Sequence, residues 1–279
     1  MVAPRQKIQV QLLFGLSVIL DYLTIFNNHP EVNFEIQFNS NLIEILRPNY
    51  DSSYYTLLSN YLESGIASLN NVTFTSSNME LPTLPPEDLI GALGTKVGSM
   101  SPYDVTKGNQ VNIYQGKFIV INTKVITGKD GGIQDLWTTS VKDELFNLLN
   151  KYDCKVVLVG EKNYSDCYEY ALHNTFSIYD DIIKGNINNL LDLSVADTIS
   201  LYEESVIIRN LNYLSNSMFN IHIGEGGGIK IFGHANSMIA FTKSPVELLQ
   251  YVNTDNFTEY SFNPNEFLDK VSTKLEQYA

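Results

Sequence analysis

The apolar positions at the start of the chain change period within forty residues. Lys7 to Leu13 reads as a strand, Gly15 and Leu16 as a tight turn, and from Ser17 to Asn27 the residues Ile19, Leu20, Leu23 and Phe26 return at the spacing of one helical face. In EVNFEIQFN, Phe34, Ile36 and Phe38 alternate with polar residues, the period of a strand. Strand, helix and strand predict a βαβ unit with parallel strands. Leu42 to Leu69 carries a helical pattern broken at Pro48, and Val72 to Thr75 is a further strand. From Leu81 to Gly108 periodicity is lost, with PTLPPED and several glycines, and an interdomain linker is expected at about Ser99 to Gln110.

The second half has a different texture. FIVIN at Phe118 to Asn122 and KVVLVG at Lys155 to Gly160 are continuous apolar runs of the kind buried on both faces of a parallel sheet. Helices are predicted at Thr139 to Tyr152 and Tyr164 to His173, and at Glu203 to Ser215, where Val206, Ile207, Leu211 and Leu214 share a face. A short connection begins at Ile182 and leads to a strand at Leu190 to Leu193. Further strands fall at Ile221 to Gly224 and Met238 to Phe241, and a closing helix runs from Asn265 to Tyr278 after Pro264. Strands and helices alternate twice over, which predicts an α/β chain of two Rossmann-like domains, residues 1–108 and 109–279.

Length and composition agree with that division. The 279 residues suffice for two cores, and 44% hydrophobic with 18% charged residues describe a globular chain. A net charge of −13, with arginine only at positions 5, 47 and 209, argues against a broad surface for nucleic acid, so an anionic ligand needs a local site. Cys154 and Cys167 are too sparse for a disulfide framework or a zinc site and suggest a reducing, cytoplasmic setting. Arg5, Lys7 and LLFGLSVIL imitate a secretory signal, but no cleavage site follows and Asp21 interrupts, so a buried strand and helix are expected instead. No apolar run approaches the ~18 residues of a membrane span.

Chemistry concentrates at Asn220 to His234, NIHIGEGGGIKIFGH. If a strand ends at Gly224 and a helix opens at Ile229, then Gly226, Gly227 and Gly228 make a side-chain-free corner. Its N–H groups and the helix start would suit a phosphate, with Lys230 adding charge; the same glycines serve equally to close a turn. Glu225 is placed to accept hydrogen bonds from a ligand or to cap the helix. No grouping of His, Cys and carboxylates suggests a metal.

The order of these motifs resembles that of the GT-B glycosyltransferases, in particular the heptosyltransferase-like group, glycosyltransferase family 9. The segments that carry the likeness are FGLSVILDYL, then FIVINTK followed by Lys129 and Trp137, then LVGEKNYSD, EESVIIRNLNYLSNS and the run from Glu225 to Lys230. Two positions depart from the family pattern: Ser17 stands near the usual acidic residue, and Lys230 replaces the usual His. The resemblance implies a ligand cleft between the two domains, a nucleotide diphosphate sugar as donor substrate on the C-terminal domain, a glycan acceptor on the N-terminal one, and no cofactor. Carried over residue by residue, donor binding falls to Thr123, Lys129, Gly160, Glu161, Tyr164, Tyr202, Glu225, Gly226, Gly227, Gly228 and Lys230. Lys124 would stabilise charge on the leaving diphosphate. Asp21, one helical turn after Ser17, is the carboxylate offered as catalytic base. Against these stand plainer roles: solvated lysines, an aromatic packing role for Tyr202 and an exposed helix aspartate at position 21. The expected activity is that of a hexosyl-, heptosyl- or pentosyltransferase. A nucleotide-sugar epimerase of the same fold and a catalytically silent nucleotide-sugar-binding protein are the alternatives.

Overall fold

The computed structural model describes residues 4–11, 16–39, 52–75, 81–95, 100, 101, 103–123, 125, 126, 133–152, 154–163, 176–197, 199–224, 236–243 and 258–278. The chain divides into two compact units, the first running to Gln110 and the second beginning at Val111.

In the first unit β1 (Arg5–Gln11), α1 (Leu16–Asn28), β2 (Asn33–Asn39), α2 (Ser52–Ile66), β3 (Val72–Phe74) and α3 (Pro86–Leu93) follow in order. The three strands form a parallel sheet in the order β1-β2-β3, with Ile8 opposite Ile36 and Phe34 opposite Val72. A parallel bridge between Gln9 and Thr83 extends it beyond the free edge of β1. Ile8, Val10, Phe34, Ile36 and Val72 are buried, and the Phe34 ring packs 4.6 Å from that of Phe26 on α1. Both α2 and α3 pack on α1, so this helix is buried from Leu16 through Phe26 on nearly every side. The opposite sheet face is polar: Arg5 and Lys7 both pair with Glu35, and Gln9 meets Gln37 and Thr83. Asn71 ties the sheet to the helix by donating its amide hydrogens to the carbonyls of Phe26, His29 and Val32.

One expectation needs correction here, because Leu81 to Gly108 is not without regular structure. Pro86 opens α3 at a position where a helix needs no N–H. Gly94 ends it with φ 71°, its N–H returning to the carbonyls of Gly91 and Ile90. Eight residues give barely two turns, too few for a period to stand out.

The second unit contains β4 (Phe118–Asn122), β5 (Val125–Ile126), α4 (Thr139–Lys151), β6 (Lys155–Val159), β7 (Glu161–Asn163), β8 (Phe176–Ser177), α5 (Ile178–Lys184) and β9 (Leu190–Asp192). β10 (Val195–Asp197), α6 (Glu204–Asn216), β11 (Asn220–Ile223), β12 (Met238–Phe241), β13 (Thr258–Ser261) and α7 (Pro264–Tyr278) complete it. Six strands make one parallel sheet in the order β9-β6-β4-β11-β12-β13. From β4 the chain adds strands outward to β9, then returns to the other side of β4 and adds outward to β13. The order therefore reverses between β4 and β11. Every residue of β4, β11 and β12 is buried. On one face Phe241 stacks on Phe267 of α7 at 4.5 Å and meets Trp137 at 6.5 Å; on the other Phe118 packs edge-on against Tyr213 of α6.

Here too the structure adds elements. The expected connection from Ile182 is in part α5, a seven-residue helix capped by Ser177, whose hydroxyl accepts from the N–H of Asp180. Strands β7 and β13 lie where no strand was expected, while the helix expected at Tyr164 to His173 lies outside the described residues.

Candidate functional site

A parallel sheet presents ligands with the carboxyl ends of its strands, and the place where strand order reverses leaves a crevice between diverging loops. In the second unit that place is the end of β4 beside the end of β11. Polar residues stand at or beside these strand ends, Asn122 last in β4 and His222 one before the last of β11, and both are buried. The Asn122 amide nitrogen lies 3.0 Å from His222 Nδ1. With Asn122 donating, Nδ1 is an acceptor and the imidazole proton sits on Nε2. The pair thus ties β4 to β11 across the reversal.

Next to it, β6 is followed by Gly160, whose φ of 116° an L side chain rarely adopts. A Cβ there would come within 2.6 Å of Asn122 Oδ1 and 2.9 Å of Thr123 Oγ1. Thr123 is fully buried, and its hydroxyl engages the carbonyls of Val159 and Glu161 and the Ser194 hydroxyl, at 3.1, 3.2 and 3.0 Å. Glu161 is buried at the first position of β7. The structure therefore brings Thr123, Gly160 and Glu161 together at one corner, where Thr123 acts as the knot between β4, β6 and the turn after β9. On the far side, β11 leaves through Gly224, with φ 101° and its N–H bonded to the carbonyl of Phe241. The chain thus enters the segment toward Glu225 through a left-handed residue.

Charge around these ends is ordered. Lys162 pairs with Asp192 at 2.9 Å, and the Tyr179 hydroxyl donates to the same carboxylate at 3.1 Å. Burial pushes the Asp192 carboxyl up, but hydrogen bonds from Lys162, Ser194 and Tyr179 outweigh it and hold the group below the usual aspartate range. The same contact with Asp192 raises the Lys162 ammonium. Arg209 on α6 donates to the carbonyl of Leu193 at 2.7 Å, and burial lowers its pKa. Lys142 pairs with Asp181 at 2.8 Å, and the Trp137 indole donates to that carboxylate at 2.9 Å. Lys243, just past β12, pairs at 3.0 Å with Asp135, which ends a short 3-10 helix (Ile133–Asp135) before α4.

The other sequence candidates distribute unevenly. Lys124, Lys129, Tyr164, Glu225, Gly226, Gly227, Gly228 and Lys230 lie outside the described residues. Tyr202 ends a short 3-10 helix, Ile199–Tyr202, that precedes α6. Asp21 sits in α1 of the first unit and is buried, so it is not the exposed helix aspartate of the plainer reading. Sequence reasoning passed over Asn122, His222, Lys243 and Asp135. The signal for the first two was present as polar residues at or beside the carboxyl end of apolar strands. Among the described residues no cluster of His, Cys, Asp and Glu would hold a metal, and no helix is long and apolar enough to cross a membrane.

No family model matches this sequence, and no curated protein matches it. Solved structures do resemble it. The crystal structure of the glycosyl transferase family 9 from Veillonella parvula DSM 2008 aligns with a TM-score of 0.51 at 9% identity, covering 99% of this chain and 99% of that one. The E. coli heptosyltransferase WaaC with ADP gives a TM-score of 0.49 at 11% identity over 98% of this chain and 100% of that one. The E. coli ADP-heptose lps heptosyltransferase II gives 0.48 at 12% identity over 99% of both chains. At such identities the likeness is one of fold, and the first of the three carries it: along nearly its whole length the chain resembles a glycosyltransferase of family 9, as the order of its sequence motifs implied.

Proposed function

We propose that the protein is a glycosyltransferase that moves a sugar from a nucleotide diphosphate donor to a glycan acceptor. In this reading the two units are the Rossmann-like domains of a GT-B enzyme, with the ligand cleft between them. The observation that carries it is the carboxyl edge of the six-stranded sheet, where the strand order reverses beside two positive-φ glycines and a tied pair of polar residues. Such an edge suits a nucleotide, since backbone N–H groups can reach its phosphates unhindered by side chains.

The donor nucleoside lies against Gly160, Glu161, Tyr164 and Tyr202, with Thr123 holding that corner in shape. The pyrophosphate is seated by the N–H groups of Gly226, Gly227 and Gly228, with Lys230, Lys124 and Lys129 neutralising charge and Glu225 binding a sugar or ribose hydroxyl. In transfer, a bond forms between the acceptor oxygen and the anomeric carbon as the bond from that carbon to the diphosphate oxygen breaks. The electron pair leaves on the nucleoside diphosphate, where cations stabilise it. Asp21 is the carboxylate proposed as the base that takes the acceptor hydroxyl proton.

Incubation with a panel of sugar nucleotides and glycan acceptors tests this directly. Release of nucleoside diphosphate that depends on acceptor is expected. Conversion to an epimer would instead make the protein a nucleotide-sugar epimerase, and saturable binding without turnover would make it a silent binder.

A further inference from the structure

We infer that Ser194 is a positioning residue for the nucleotide: its hydroxyl holds Thr123, and through Thr123 the Gly160–Glu161 turn, without itself touching the ligand. The inference rests on the donor-binding reading above, which sets the nucleoside against that turn. Proton accounting gives the direction of the contact. The Thr123 hydroxyl has one proton and two acceptors within reach, the carbonyls of Val159 at 3.1 Å and Glu161 at 3.2 Å. Giving that proton to Ser194 would leave both carbonyl contacts without a hydrogen, whereas giving it to a carbonyl leaves the Thr123 oxygen able to accept. Ser194 is therefore the donor in their 3.0 Å contact.

That donor comes from a turn with little freedom. β9 ends at Asp192 and β10 begins at Val195, so Leu193 and Ser194 make the whole connection. The Leu193 N–H donates to the Leu158 carbonyl at 3.0 Å, and the Leu193 carbonyl accepts from Arg209 of α6 at 2.7 Å. The Ser194 N–H donates to Asp192 Oδ1 at 2.9 Å, while Asp192 Oδ2 is held by Lys162 of β7 at 2.9 Å and by the Tyr179 hydroxyl of α5 at 3.1 Å. The Val195 N–H donates to the Gly160 carbonyl at 2.8 Å. Contacts from β6, β7, α5 and α6 thus fix the turn, and its hydroxyl is aimed at Thr123 before any ligand arrives, the preorganisation that a binding corner needs. The receiving side is as close-set: Thr123 is fully buried, and a Cβ on Gly160 would meet Thr123 Oγ1 at 2.9 Å. The pairing of β6 with β9 runs only as far as Leu158 opposite Asp192, so beyond it side chains join in setting the shape of the corner.

Titration calorimetry of the full chain with ADP, UDP, GDP and dTDP reads this out in a double-mutant cycle, with unfolding midpoints measured alongside. Ser194→Ala is expected to weaken binding of whichever diphosphates the wild type takes about fivefold, the size of one lost hydrogen bond. In a Thr123→Val background the same substitution should change affinity no further, because the group through which Ser194 acts is already gone; Thr123→Ala serves if Thr123→Val does not fold. In a Thr123→Ser background, which keeps the acceptor, the loss of about fivefold should return. A prop for overall stability would instead lower the midpoint and leave the affinity of the folded protein as it was. Equal affinities of the wild type and Ser194→Ala would overturn the inference. So would a loss that persists undiminished without the Thr123 hydroxyl, since Ser194 would then act on the ligand directly. If the wild type binds none of the four diphosphates, the donor-binding reading itself falls, and the inference with it.

Discussion

The two sheets of this chain are both parallel, yet they treat their faces differently. In the second unit β4, β11 and β12 are buried at every position, and aromatic side chains pack on both sides of the sheet. In the first unit burial alternates: Ile8 and Val10 face inward while Arg5 and Lys7 are exposed, and Phe34 and Ile36 are buried around a half-buried Glu35. Parallel sheets are ordinarily covered on both faces, so the alternation in β1 and β2 is that of a sheet with one wet face. The difference teaches where each unit keeps its stability. The second holds it in a sheet buried between helices, and the first in α1, which is enclosed by the sheet, α2 and α3.

The largest expected effect follows from the doubly buried sheet. Phe241→Ala removes the ring that stacks on Phe267 and touches Trp137, and is expected to cost about 3 to 5 kcal/mol in denaturant unfolding. A loss below about 1 kcal/mol would mean that the face is far less tightly packed than the ring geometry indicates. Gly160→Val comes next. It places a branched side chain at φ 116° and drives its Cβ into Asn122 and Thr123, for about 2 to 4 kcal/mol of destabilisation. Because that corner is also the proposed nucleoside site, nucleotide binding should fall in whatever fraction remains folded.

A smaller effect is one of pH. The Asp192 carboxyl is held below its ordinary range in the folded chain, so its contribution to stability is present above the unfolded-state pKa of roughly 4 and is lost as pH falls through the lower folded value. Asp192→Asn should flatten the acid limb of a stability-versus-pH curve while Lys162 loses its partner; an unchanged limb would show that the pair contributes nothing to it. The smallest effect belongs to the wet face of the first sheet. Lys7→Ala breaks an exposed contact with Glu35 and should leave the unfolding midpoint unmoved. A clear loss there would mean that the polar face is covered, and would erase the contrast between the two sheets.

How much of this was legible in the sequence depends on length and period. FIVIN and KVVLV announced themselves because four apolar residues in a row, Phe118 to Ile121 and Val156 to Val159, suit a strand buried on both faces. The β2 alternation was equally plain, though the parallel pairing hid what it meant, since one wet face is uncommon in such sheets. Helix α3 and helix α5 escaped because eight and seven residues show no repeat, although Gly94 and Ser177 are capping signals that a closer reading of ends would have used. At the site, Thr123, Gly160 and Glu161 were named from the family resemblance, and they do meet. Asn122 with His222, and Lys243 with Asp135, were missed because each pair joins residues about one hundred positions apart. Only the strand order β4-β11-β12 makes them neighbours, and no local pattern encodes that order.

The central claim is that the second unit binds a nucleoside diphosphate where its strand order reverses, by backbone N–H groups of the glycine run. Titrating the wild type and Gly227→Val with the nucleoside diphosphate that the wild type prefers, in chelator and with unfolding midpoints measured in parallel, tests it most directly. The account predicts binding by the wild type without added metal, and severe weakening in a folded Gly227→Val, because a branched side chain blocks close approach of the phosphates. A folded Gly227→Val that binds the nucleotide as the wild type does would contradict it.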